Sequence, residues 1–457
     1  MKRTWMYLLI AMLLAACGGD NNGETKITVS RTASQQGTSG GFADYDGDGT
    51  DDLFVGAPYA ENSNNLGAVF VYRGDATGFA TEPTWTLMGD DNFGERFANV
   101  GDIDGDGTDE FAVGARNGDG PDASLSGSVA IYRGGSSGQV LKKLGGEQAL
   151  DKFGYSITGN CDLNADGNTD LVIGAISHSP GPDRFLGGAV YVYFGPDLAE
   201  ANRIKLGATT HTGILGFSSA CGDVNNDSVD DLVVSAIWTH GVIWHDSKVL
   251  VYYGGNGFSP QTDSPNVTIA SSSTGFGTSL AVLDDLNGDD YKEIAIGDIY
   301  SYAFGPSDDY NGIVWVLRGG QGNDRTIDTA VIPNADILTR VFGESSLERF
   351  GSAIAPLGDL DNDGLPDFAV GAVHANANGA TDLASGLVTG KVFIFHGKNV
   401  QANGTTTQAT AATTLSRAER DLHYGTFLAP FQKGGPKLLV GAPTADRQTG
   451  AVFAEDL

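Results

Sequence analysis

The sequence predicts an all-β fold: a seven-bladed β-propeller with four-stranded blades, closed by an N-terminal strand that joins the last blade. Three observations predict it. A unit of about 60 residues recurs along the chain, six of its copies carry an acidic loop at the same place, and 66 glycines stand among 457 residues. Repeats of this length signal propellers or solenoids, and glycine at this density suits short strands joined by tight turns.

The elements of each unit follow in a fixed order. First comes an aromatic–glycine pair: Phe93-Gly94, Phe153-Gly154, Phe276-Gly277, Phe350-Gly351 and Tyr424-Gly425, with Leu215-Gly216 as a variant and Gln36-Gly37 as a weak first copy. The acidic loops then begin at Asp44, Asp102, Asp162, Asp223, Asp285 and Asp359, at intervals of 58, 60, 61, 62 and 74 residues. A further 72 residues reaches Phe431, in a loop without acids. Short apolar runs follow, from Leu53 to Ala57 in unit one through to Leu438 to Ala442 in unit seven, and continuous runs suit strands buried on both faces. A third element alternates, as in Gly67 to Tyr72 and Gly188 to Tyr193, where β-branched and aromatic residues at period two make a strand. A weaker fourth strand is read at Trp85 to Met88 and Val140 to Leu144. Unit seven has only three strands, while Lys26 to Ser30 precedes unit one as an orphan. Pairing the two closes the ring and leaves no free sheet edge; a solenoid needs polar capping repeats, and none is seen.

Aligned on the first acid, the loops read Asp-x-[Asp/Asn]-x-Asp-Gly-x-x-[Asp/Glu]. Unit one supplies Asp44, Asp46, Asp48 and Asp52; unit two Asp102, Asp104, Asp106 and Glu110; unit three Asp162, Asn164, Asp166 and Asp170. Unit four supplies Asp223, Asn225, Asp227 and Asp231; unit five Asp285, Asn287, Asp289 and Glu293; unit six Asp359, Asp361, Asp363 and Asp367. Oxygens at positions 1, 3 and 5, a backbone carbonyl at 7 and a carboxylate at 9 can wrap one hard cation, and glycine at 6 permits the sharp turn. Units four and five carry Ser228 and Asp290 in that glycine position. All-oxygen ligation selects calcium or magnesium over zinc, and calcium is favoured because magnesium keeps several waters. The expectation is up to six Ca2+, one per blade in blades 1–6. An EF-hand shares the first half of this loop but needs a bidentate Glu at position 12, where Val55, Val113, Ile173, Val234, Ile296 and Val370 stand. The loop is therefore expected to run into a strand. An acidic turn without metal is the simpler rival, since Asp-Gly favours hairpins; six crowded loops in register weigh against it.

The formal charge of −30 excludes nucleic acid as a partner, because phosphate neutralisation requires a basic face. At the N-terminus Lys2 and Arg3, an apolar stretch from Met6 to Leu14, and Ala15-Ala16-Cys17 read as an export signal too short to span a membrane. Leu14-Ala15-Ala16-Cys17-Gly18 resembles a bacterial lipoprotein signal, which implies residues 1–16 as a cleaved leader and Cys17 as the lipidated first residue. Residues 17–24 then form a tether and 25–457 the propeller, a monomer held to the membrane by its N-terminal lipid only. Gly18 in place of Asp after the cysteine favours the outer membrane of a two-membrane envelope. Cys161 and Cys221 fall at neighbouring but non-equivalent repeat positions, which favours small buried residues over a bridge, although an oxidising compartment would allow one.

These features resemble FG-GAP repeats of the integrin α-subunit type. The Phe-Gly pairs, the acidic loops and Gly56-Ala57-Pro58 or Gly441-Ala442-Pro443 carry the match over nearly all of the chain after Gly23. The resemblance implies calcium on one face and partner contacts on the other. Blade seven departs by lacking the acids, and Ser235-Ala236 and Gly297-Asp298 degrade the second signature.

No catalytic constellation emerges. The histidines recur at no common position, and Gly134 to Gly138 matches a nucleophile-elbow string without the helix it needs. Arg73-Gly74-Asp75 is read as a repeated turn, since Arg133-Gly134 and Arg318-Gly319 occupy the same place. The loops joining second to third strands must lie opposite the acidic loops, and in units four and five they carry Trp238, His240, Trp244, His245, Tyr300, Tyr302 and Tyr310. Such aromatics are anchors for a protein or a glycan. The expected function is a calcium-binding adhesion or interaction module on the cell envelope, with a calcium-dependent, lyase-like polysaccharide enzyme as the alternative.

Overall fold

The computed structural model describes residues 25–27 and 38–457, apart from 62–65, 76–77, 136–137, 180–186, 208–213, 238–246, 302–310, 321–324, 330–334, 346, 376–388, 401–403, 408–409, 418–422, 432–436 and 444–449. Seven sheets, each built on four antiparallel strands, form the blades. Blade 1 runs from the inner strand Gly40–Ala43 through Asp52–Glu61 and Leu66–Tyr72 to the outer strand Trp85–Asp91. Successive inner strands, from Arg96–Gly101 of blade 2 to Leu428–Phe431 of blade 7, touch their neighbours in cyclic order, and the seventh touches the first. Closure is as the sequence predicts: Thr25–Ile27 pairs antiparallel with Ala451–Asp456 as the outer strand of blade 7.

The core lies between blades. Ala112 and Ile131 of blade 2 pack with Leu171, Ile173 and Tyr191 of blade 3, and the other blade pairs form equivalent clusters. A second strand is therefore apolar on both sides, and Glu110–Ala115, Asp170–Ala175 and Asp367–Ala372 are buried from end to end. The aromatic–glycine pair is an interblade joint. Phe93, Phe153, Phe276, Phe350 and Tyr424 are all buried, and the glycine that follows sits with its backbone against the preceding blade. Gly94 has φ +86° and its carbonyl lies against Gly56, where a Cβ would stand 2.0 Å from the Gly94 oxygen. The Ser39 hydroxyl donates to the same oxygen at 2.9 Å. The Gly-Ala and Phe-Gly signatures are two sides of one contact between blades.

Two intervals in the repeat are long for a structural reason. Arg325–Asp328, inserted before the outer strand of blade 5, pairs parallel with Val267–Ser271, the outer strand of blade 4. Gly404–Thr407, inserted before the outer strand of blade 6, pairs parallel with Ile337–Phe342 of blade 5. Blades 4 and 5 so gain a fifth strand beyond the four expected, donated each time by the next blade.

The cysteines correct the sequence reading. Cys161, the last residue of Phe153–Cys161, and Cys221, the last but one of Ile214–Gly222, lie on the inner strands of adjacent blades with Cα atoms 6.1 Å apart, and they form a disulfide. Repeat position argued against a bridge, but the two inner strands lie side by side, so offset positions face each other. Among the described residues no helix is long and apolar enough to cross a membrane.

Candidate metal centre and partner face

Each of the six acidic loops joins the inner strand to the second strand, and the acid at position 9 is itself the first residue of that second strand. This holds for Asp52, Glu110, Asp170, Asp231, Glu293 and Asp367. No helix follows, as position 12 predicts. The loop conformation is organised around two carboxylates. The position-1 acid accepts backbone N–H groups from positions 5 and 6: Asp48 and Gly49 donate to Asp44 at 3.1 and 2.8 Å, and Asp166 and Gly167 to Asp162 at 3.1 and 2.9 Å. Position 6 lies in the left-handed region, with Gly49 at φ +79° and Ser228 and Asp290 at +69° and +70°, which is why glycine recurs there.

The position-9 carboxylate has a second role that sequence reasoning missed. In all six loops it accepts from the N–H of position 2, and in blades 1–4 and 6 also from a glycine N–H just after the third strand, which fastens the loop to the far side of its own blade. Asp170 takes Leu163 at 2.9 Å and Gly195 at 3.1 Å; Asp52 takes Tyr45 at 3.0 Å and Gly74 at 2.7 Å; Asp367 takes Leu360 at 2.8 Å and Gly397 at 3.0 Å. All six position-9 side chains are buried. Burial pushes the Asp52 carboxyl up to about 6, those of Glu110, Asp170 and Asp231 to about 7, and that of Glu293 to about 8. The other acids of the loops add to this by repulsion. In blades 1–4 a Tyr-x-Gly string closes the third strand and carried the signal: its glycine, Gly74, Gly134, Gly195 or Gly254, is the second donor.

The acids converge in blades 1, 2, 5 and 6. Asp44, Asp46 and Asp48, then Asp102, Asp104 and Glu110, then Asp285, Asp289 and Glu293, then Asp359, Asp361 and Asp363 each place one oxygen within 4.8 Å of the others. Asp361 and Asp367 also group with His396. Among the described residues no such acidic group forms in blades 3 and 4. The donor set suits a hard divalent cation. Every candidate ligand except His396 is an oxygen, and Asn225, 4% exposed, holds its Oδ1 without a hydrogen-bond partner. Asp361 Oδ1 and Asp104 Oδ1 are likewise buried and unpartnered. A buried oxygen left so is costly unless something binds it.

Basic residues reach these loops from the ends of third strands. Arg73 lies 2.8 Å from both Asp46 Oδ2 and Asp48 Oδ2, Arg133 pairs with Asp104, and Arg318 lies 3.5 Å from Asp289. In blade 6 Lys398 pairs with Asp361 and lies 3.1 Å from Asp363. Arg73-Gly74-Asp75 is thus bound into its own blade, with Arg73 on the acids and the Gly74 N–H on Asp52.

On the opposite face, five blades send side chains to the mouth of the axis. Tyr155 near the start of the blade 3 inner strand packs its ring, tilted by 50°, against Phe217 of blade 4, ring centres 5.0 Å apart, with the guanidinium groups of Arg96 and Arg116 from blade 2 at 5.4 and 5.9 Å from its ring. Tyr300 of blade 5 lies under Arg349 of blade 6 at 5.6 Å. Burial pushes the Tyr155 phenol up; Arg96 and Arg116 oppose this, while Tyr300 adds to it from two blades away. Of the residues expected on this face, Tyr300 is described and is 36% exposed. Trp238, His240, Trp244, His245, Tyr302 and Tyr310 lie outside the described residues, as do Cys17 and the leader. The sequence reading missed Tyr155, Phe217 and the three arginines, whose meeting depends on ring closure.

Parts of the chain are similar to known proteins. A family model described as FG-GAP repeat matches residues 36–72. Integrin alpha-4 of Xenopus laevis is 38% identical over 143 residues, covering 29% of this chain and 14% of its own. Integrin alpha-3 of Cricetulus griseus is 34% identical over 181 residues (37% and 17%), and integrin alpha-7 of Rattus norvegicus 37% over 197 residues (41% and 16%). The matched region spans under a fifth of these relatives. Among solved structures, the crystal structure of Saccharomyces cerevisiae Sqt1 aligns with TM-score 0.49 at 11% identity, covering 94% of this chain and 88% of that one.

Proposed function

We propose that this FG-GAP-repeat propeller, integrin α-like in sequence, is a calcium-stabilised interaction module that binds a protein or glycan partner on the face opposite its acidic loops. The observation that carries the reading is the meeting of Arg96, Tyr155, Phe217, Tyr300 and Arg349 from five blades at one mouth of the axis. All are part-exposed, and aromatic and arginine side chains together are the usual anchors of a binding surface. The loops of blades 1–6 supply the calcium ligands from positions 1, 3, 5 and 9. When bound, the cation neutralises crowded carboxylates and holds the turn between inner and second strand, so its binding energy becomes folding energy. The disulfide suits an oxidising compartment, in keeping with export to a bacterial envelope through Cys17.

The test is capture of partners from envelope extracts, with and without calcium, alongside a glycan array, using the intact chain and a Tyr155→Ala/Tyr300→Ala variant. Loss of capture by about tenfold or more in the variant, with its melting temperature retained, is the expected result. Undiminished capture removes this face from the partner site, and turnover of a polysaccharide on the array would favour an enzyme instead.

A further inference from the structure

The loops differ in their acids, yet a compensation runs through them. Counting positions 1, 3, 5, 6 and 9, blades 3 and 4 carry three acids each and blades 1, 2, 5 and 6 carry four. Blades 1, 2 and 6 gain the fourth at position 3, and blade 5, with Asn287 there, gains it at position 6 as Asp290. The four-acid loops are those met by a basic side chain from beyond the end of their own third strand: Arg73, Arg133 and Arg318 directly after it, and in blade 6, where His396 holds that place, Lys398 two residues further on. In the three-acid loops Phe194 and Tyr253 follow the third strand instead, and Tyr253 turns its hydroxyl to the Gly320 carbonyl of the next blade at 2.8 Å. Among the described residues no Lys, Arg or His pairs with the acids of blades 3 and 4. Over these five positions and that base, each of the six loops sums to −3; the position-8 residues lie outside this count, with Asp109 accepting from Asn99 Nδ2, Asp230 from the Asp162 N–H, and Lys292 paired with Asp284.

We propose that the basic residue after the third strand is a tethered counter-charge that sets the cation affinity of its loop, holding the four-acid loops to the level of the three-acid ones. This rests on the cation reading above. Its second support is Asn225 in blade 4, whose buried, unpartnered Oδ1 marks a three-acid loop as built for a ligand no side chain supplies. The physics is Coulombic. A unit positive charge close to a divalent ion opposes it even through a high dielectric, and two oxygens held by a guanidinium are less free to turn to the metal. Side chains in these pairs are part-exposed, with Arg73 at 51% and Lys398 at 47%, so screening keeps the effect moderate.

The experiment is calorimetric titration of the full chain with Ca2+, checked by Tb3+ luminescence, for the unsubstituted protein and three variants. Arg73→Gln leaves blade 1 at −4 and is expected to create one site about tenfold tighter than the rest at low salt. Arg73→Gln with Asp46→Asn copies the asparagine and neutral residue of blades 3 and 4 and is expected to return that site to the common affinity. Asn225→Asp in blade 4 should tighten its site as Arg73→Gln does in blade 1. If Ca2+ binds but Arg73→Gln leaves the affinity unchanged or weaker, the counter-charge inference fails while the cation reading stands. If the unsubstituted chain binds neither ion, the cation reading fails and this inference with it.

Discussion

At the scale of the residue, glycine does the work that the repeat signature records. Gly94 combines φ +86° with a backbone approach so close that a Cβ would stand 2.3 Å from the Ala68 carbonyl oxygen. Neither problem can be relieved by a side chain turning away, since the obstacle is backbone of the neighbouring strand. Gly94→Ala is therefore expected to lower the unfolding free energy by about 3 kcal/mol, from left-handed strain and overpacking together. Chemical denaturation measures it directly. A loss below roughly 1 kcal/mol would mean that the two blades separate easily, contrary to the interblade joint described above. The Phe of the pair adds its ring to the interblade core, which explains why leucine at position 215 serves in its place: the site demands a buried apolar side chain and only the next residue demands glycine.

At the scale of the element, the acidic loop is strained by its own charge when metal-free, and the strain has a sign. Burial pushes the position-9 carboxyls of Asp52, Glu110, Asp170, Asp231 and Glu293 up to about 6 to 8 in the folded chain against an ordinary value near 4. Between those limits the folded chain holds protons that the unfolded chain has released, so unfolding free energy falls as pH rises from about 4 to 8. Each of these five loops contributes on the order of 1–3 kcal/mol to that fall. In excess chelator, stability measured by denaturant titration is expected to drop steadily from pH 5 to pH 8, and saturating calcium should flatten the curve by favouring the ionised form. A pH-independent stability in chelator would show that burial does not burden these carboxylates. The loop itself was legible in the sequence because its ligand positions lie within nine residues. What was not legible is what reaches it from afar: the Gly195 N–H on Asp170, 25 residues on, and Arg73 on Asp48, also 25 residues on. Arg73-Gly74 reads as a turn because nothing local records that its guanidinium returns to the preceding hairpin. The fifth strands of blades 4 and 5 escaped for a like reason, since Arg325–Asp328 and Gly404–Thr407 are short segments whose partners belong to another blade.

At the scale of the whole molecule, closure decides whether seven blades behave as one body. Blade 7 has three strands of its own, and its third, Ala451–Asp456, would present an open edge without Thr25–Ile27. The pairing Thr25 to Ala454, Lys26 to Phe453 and Ile27 to Val452 is short, yet it links the two ends of a 457-residue chain, so it restrains the ring far beyond the few hydrogen bonds it makes. Net charge raises the demand: a formal −30 pushes the compact ring apart, and six divalent cations would offset 12 of those charges. Closure and cation loading therefore act on the same opening motion. Placing proline at Lys26 and Ile27 together removes the strand's N–H donors there while leaving every blade's own strands intact. The expected result is a melting temperature lowered by about 2 °C or more and concentration-dependent association by light scattering, as the bared edge of Ala451–Asp456 pairs between molecules. Chelator should enlarge the drop, because the metal-free loops no longer counter the repulsion. A double-proline chain that melts unchanged and stays monomeric with and without calcium would show that the inner-strand contacts between blades 7 and 1 hold the ring unaided.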